Sequence, residues 1–123
     1  MMQLHRRQFA ISPEQFCLGN TWKTYDLGDA LWLSTCPDLR AIKASDIDGQ
    51  DWYVLGHAVE TRQKKSSPES EIARTTSDRV PDLCASWAGR WVLVGKGHLY
   101  LDAYGLLGCF YGRDSEHRLW ASS

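Results

Sequence analysis

The densest alternation of apolar and polar positions in this chain runs from Trp87 to Trp120. It begins Trp87-Ala88-Gly89-Arg90-Trp91-Val92-Leu93-Val94, reverses at Gly95-Lys96-Gly97, and continues His98-Leu99-Tyr100-Leu101-Asp102. β-Branched and aromatic residues on both sides of a Gly-x-Gly reversal predict a β-hairpin. Tyr104-Gly105-Leu106-Leu107-Gly108 then offers two positions where positive φ costs nothing, so Cys109-Phe110-Tyr111 is expected to form a third strand. The polar run Gly112 to Arg118 reads as a turn, and Leu119-Trp120-Ala121 as the return strand of a second hairpin closing on the first.

Upstream, Gln8-Phe9-Ala10-Ile11 is a short apolar alternation ended by Ser12-Pro13, and Thr21-Trp22-Lys23-Thr24-Tyr25 carries aromatics on one face. Both predict strands. Asp26-Leu27-Gly28-Asp29 reads as a reversal, Ala30 to Cys36 as a strand stopped by Pro37, and Ala41-Ile42-Lys43-Ala44 as a brief edge strand. After the turn formers Asp46-Ile47-Asp48-Gly49-Gln50, the nearly continuous apolar run Trp52 to Val59 predicts a strand buried on both faces.

Thr61 to Ser66 is abruptly polar and predicts a surface loop. Ser67-Pro68-Glu69 has the order of an N-cap, a first-position proline and a first-turn acid, which predicts a helix over 68–76. Val80 to Trp87, with Pro81 near its start and Gly89 beyond its end, predicts a second. The expected class is α+β: an antiparallel β-sheet sandwich with a few helices grouped between strands.

Composition narrows the function classes. A chain of 123 residues, 43% hydrophobic, fits one domain over 1–123. A net charge of -1 gives no reason to expect nucleic acid or an anionic membrane as partner. No run approaches the ~18 apolar residues of a membrane helix, and the amino terminus has no secretory pattern, so a cytoplasmic location is expected. Cys17, Cys36, Cys84 and Cys109 are scattered without a Cys-x-x-Cys pair, so they are expected to be packed thiols, with no metal and no cofactor.

The run Gly89, Trp91-Val92-Leu93-Val94, Asp102, Gly105, Phe110-Tyr111 and Ala121-Ser122, with Pro68-Glu69-Ser70-Glu71-Ile72 upstream, resembles the amino-terminal domain of asparagine synthetase-like proteins. Glu69 stands where that family usually has Asp, and Leu107-Gly108 replaces the Lys-Pro that normally precedes the aromatic pair. The resemblance implies a class II glutamine amidotransferase domain of the Ntn-hydrolase (N-terminal nucleophile hydrolase) type. In that family a terminal cysteine is the nucleophile and its own α-amine the base. This chain begins Met1-Met2-Gln3, with Cys17 its nearest cysteine. The family's Asn-Gly oxyanion pair has its nearest counterpart in Leu55-Gly56-His57, which keeps the glycine and lacks the amide. Losing one such donor costs ~3 kcal/mol of transition-state stabilisation.

The resemblance therefore implies a retained fold with no catalytic residue, and Gly56, His57 and Glu69 as the residues at ligand-binding positions. The expected function is a non-catalytic amidotransferase-like domain that docks on, or regulates, an asparagine synthetase-like ATP-dependent amide ligase. The partner is a synthetase domain or protein, this chain being a fragment or truncated relative, and an exposed sheet edge would also allow a homodimer. The alternative is a stand-alone small-molecule or sugar-binding module using its six tryptophans.

Blander roles compete for each of these residues. His57 reads as a hydrogen-bonded structural histidine, and His98 and His117 as solvated ones. Asp102 reads as a carboxylate satisfying backbone N–H groups at a turn. Gly95-Lys96-Gly97 lacks the following helix of a phosphate loop. The tryptophans are expected mostly in the core, and Glu69 and Glu71 are explained as first-turn helix acids.

Overall fold

At Lys96 and Gly97 the backbone turns through two consecutive residues of positive φ, 51° and 71°. That is the geometry a two-residue hairpin needs to match the twist of its strands. It joins a strand over Trp87–Gly95 to one over His98–Leu101, in the register Gly95↔His98 to Val92↔Leu101. The computed structural model describes residues 9–15, 22–28, 30–61, 66–102, 110–113, 115 and 119–122.

In chain order the strands are β1 (Phe9–Ser12), β2 (Lys23–Gly28), β3 (Leu31–Thr35), β4 (Ala41–Ser45), β5 (Asp51–Glu60), β6 (Trp87–Gly95), β7 (His98–Leu101), β8 (Phe110–Arg113) and β9 (Leu119–Ser122). Helices α1 (Pro68–Ala73) and α2 (Val80–Cys84) lie between β5 and β6, separated by a 3-10 turn over Ser77–Arg79. The fold is α+β, with two antiparallel sheets and few helices. One sheet has the order β2-β3-β1-β9-β8 and the other β4-β5-β6-β7. The chain forms two compact units, Met1–Leu39 with Gly108–Ser123, and Arg40–Leu107.

In the first unit, β3 is flanked by β1 and β2, and β9 pairs with β1 through Ala10↔Ser122 and Ile11↔Ala121. The hairpin β8–β9 thus joins this sheet, and does not extend the β6–β7 hairpin as its proximity in sequence implied. Strand β2 runs three residues past its expected end at Tyr25, to Gly28. Its register shifts between Asp26 and Gly28, where Asp26 Oδ1 accepts the Gly28 N–H at 2.8 Å. The positive φ of Gly28 and Ala30 then carries the reversal.

In the second unit, Trp52 to Leu55 are all buried, as the unbroken apolar run predicts, but His57 and Val59 further along it are exposed, so β5 is not buried on both faces to the expected Val59. One cluster gathers Ala44, Trp52, Val54, Ile72, Val80, Leu83, Cys84, Trp87, Trp91 and Leu93 from β4, β5, β6 and both helices. Each fully buried large apolar side chain contributes ~1.5–3 kcal/mol, so this cluster anchors the helices to the sheet. Gly95 is required by it, because a Cβ there would lie 2.4 Å from Cε3 of its cross-strand partner Trp52.

Helix α1 starts as expected. Ser67 Oγ accepts the Ser70 N–H at 3.2 Å and Pro68 follows the cap. It stops at Ala73, short of the expected Thr76, because the N–H groups of Arg74 and Thr75 take i−3 carbonyls while Thr75 Oγ donates to Glu71 O at 2.6 Å. Helix α2 ends at Cys84 rather than Trp87. Ser86 N–H and Oγ both donate to Leu83 O, and Trp87 pairs with Glu60 as the first residue of β6.

Candidate functional site

Gly56 sits midway along β5 with φ +83°, and Gly89 sits almost opposite on β6 with φ +103°. A Cβ on Gly56 would be 2.4 Å from Arg90 O, and one on Gly89 would be 2.2 Å from His57 O. Only glycine meets both demands, left-handed backbone and such close approach of a neighbouring strand. The two glycines set the course of the β5–β6 arm where it extends beyond β4, whose pairing ends at Ala41↔Leu55, and β7, whose pairing ends at Val92↔Leu101.

Arg40, immediately before β4, joins two of the sequence-predicted site residues. Its carbonyl accepts the Gly56 N–H at 2.7 Å, and its Nη2 donates to Glu69 Oε1 at 3.1 Å. The Gly56 N–H is thereby committed to the scaffold. The Arg40 and Glu69 side chains are 36% and 25% exposed, so the pair is partly screened and its contribution modest. Glu69 Oε2 is buried and, among the described residues, accepts no hydrogen bond.

His57 is exposed, and among the described residues its ring makes no hydrogen bond, in contrast to the structural role expected of it. Its cross-strand partner is Arg90, also exposed, and the exposed Val59 and Ala88 pair two positions further along the arm. The structure thus links Gly56 and Glu69 through Arg40 and leaves His57 facing solvent. Arg40 was missed because Pro37-Asp38-Leu39-Arg40 reads as a turn. The signal that would have found it is its position at the mouth of an edge strand next to a glycine-bearing central one.

Of the further buried carboxylates, Asp46, Glu60 and Asp102, the first and last hold the backbone in place. Asp46 Oδ1 accepts the N–H groups of Asp48 and Gln50 at 2.9 and 3.0 Å, while Oδ2 accepts Trp52 Nε1 at 2.8 Å and Ser77 Oγ at 2.6 Å. Burial raises the pKa of this carboxyl, but the hydrogen bonds from Ser77, Trp52, Gln50 and Asp48 outweigh it and hold the group below the usual 3.8. Asp102 Oδ2 accepts the Trp91 N–H at 3.1 Å, and Asp102 N–H donates to Trp91 O at 3.2 Å. Asp102 thus satisfies backbone as expected, on the neighbouring strand rather than within its own turn.

The remaining candidates take structural positions. Cys84 is buried, donates to Pro81 O at 3.2 Å, and burial pushes its thiol up to about 11, so it is a poor nucleophile. Cys36 is a half-buried free thiol. His98 is exposed, with Nδ1 2.8 Å from Lys96 O and its ring stacked on Tyr100. Glu71 pairs with Arg74 at 2.6 Å on the helix surface. Trp52, Trp87 and Trp91 are core, the last two meeting edge to face at 5.3 Å, whereas Trp22 and Trp32 are half-buried. Cys17, Cys109, Gly105 and His117 lie outside the described residues.

Among the described residues no three His, Cys, Asp or Glu side chains are placed to hold a metal ion. Among them, too, no helix is long and apolar enough to cross a membrane. No family model, curated protein or solved structure matches this chain.

Proposed function

We propose that this chain is a non-catalytic domain of the class II glutamine amidotransferase type, with the Ntn-hydrolase fold, that docks on an asparagine synthetase-like ATP-dependent amide ligase and regulates it. The observation that carries this reading is the Gly56–Arg40–Glu69 linkage. A glycine with left-handed backbone sits on a buried strand, where the resemblance in Pro68 to Ile72 and Gly89 to Tyr111 implies an oxyanion-binding turn. Its N–H is already engaged by Arg40, and the residue before it, where the family's pair has its asparagine amide, is the buried Leu55. An oxyanion donor must be free and aimed at developing charge. Here the donor belongs to the scaffold.

The test is twofold. Purified chain incubated with glutamine should release no ammonia above a heat-denatured control, and it should co-elute on size exclusion with an asparagine synthetase-like ligase supplied without its own amidotransferase domain. Ammonia release abolished by Cys17→Ala would overturn the non-catalytic reading. Failure to co-elute would overturn the docking role.

The small-molecule alternative draws on one observation, the Arg40 guanidinium, which is 36% exposed and held to Glu69 through Nη2. Its remaining N–H donors suit a carboxylate in bidentate geometry. Calorimetric titration with glutamine and with aspartate distinguishes the two readings, since a docking domain with a closed site gives no heat with either.

A further inference from the structure

We draw no further inference here: the strongest candidate, the exposed face of the β5–β6 arm where Val59 and Ala88 sit beside His57 and Arg90, is an unpartnered patch, and nothing in the structure shows what covers it.

Discussion

Trp52 Nε1 donates to Asp46 Oδ2 at 2.8 Å, so a buried carboxylate that closes the β4–β5 hairpin also satisfies the indole at the centre of the core. Hairpin and core are therefore coupled through one side chain. Asp46→Ala leaves Trp52 Nε1, two backbone N–H groups and Ser77 Oγ without their acceptor. Hydrogen bonds to charged groups contribute ~1.5–3 kcal/mol each and are not additive, so a loss of roughly 3–5 kcal/mol is expected. Urea unfolding followed by tryptophan fluorescence measures it, and a loss under about 1 kcal/mol would remove Asp46 from this role.

The same carboxyl predicts the acid limb of stability. Its folded pKa lies below its unfolded value near 3.8, so its stabilisation is complete above 3.8 and is lost as pH falls through the lower folded value. Asp46→Asn should flatten the dependence of unfolding free energy on pH below about 4. An unchanged acid limb in that variant would place the proton linkage elsewhere.

At high pH the sign reverses. Cys84 is raised by burial to about 11, and Tyr100 is also raised, chiefly by burial and further by the nearby Cys84. For both, stability is present below the unfolded pKa and lost as pH rises through the folded one. Stability should therefore fall above pH 9, and Cys84→Ala should remove the Cys84 part of that fall while costing ~1 kcal/mol or more for lost packing. In the native protein at pH 8, Cys84 should resist an aromatic disulfide reagent until urea opens the core. Rapid labelling without denaturant would contradict its burial.

Gly56 and Gly49 separate two costs that usually come together. Both have positive φ, +83° and +84°, but a Cβ on Gly56 would collide with Arg90 O whereas one on Gly49 meets nothing within 4 Å. Gly49→Ala should cost only the ~1–2 kcal/mol of left-handed backbone. Gly56→Ala should cost clearly more, since backbone must move, and Gly89→Ala should behave like it. Thermal unfolding of the three variants ranks them, and equal losses would mean that the approach of β5 and β6 relaxes freely.

Arg40 and Glu69 should matter little to folding. A double-mutant cycle with Arg40→Ala and Glu69→Gln is expected to give a coupling energy below about 1 kcal/mol, because the pair is partly exposed and screened by salt. A coupling well above that would show a pair more desolvated than its side-chain exposure indicates.

The strand order along the chain was legible wherever a local pattern carries its own explanation. The two-residue reversal at Lys96-Gly97, the Ser67-Pro68 helix start and the unbroken apolar run of β5 each follow from backbone preference or periodicity within a few residues. Helix ends were less legible, since α2 gives way at Trp87 to pairing with Glu60, a partner far away in sequence.

Of the candidate site, sequence determined that Gly56 lies on a largely apolar strand and that Glu69 lies in a helix's first turn, whereas the need for glycine's freedom at position 56 comes from its φ of +83° in the structure. Only the tertiary structure decided that Arg40 connects them, that β8–β9 belongs with β1, and that Asp102 and Asp46 serve strands and indoles rather than their own turns alone. The reason is the same in each case. Local preference is set by the few neighbouring residues that share a turn, whereas these contacts are fixed by which strands pair and in what register, and that choice is made by burial summed over the whole core.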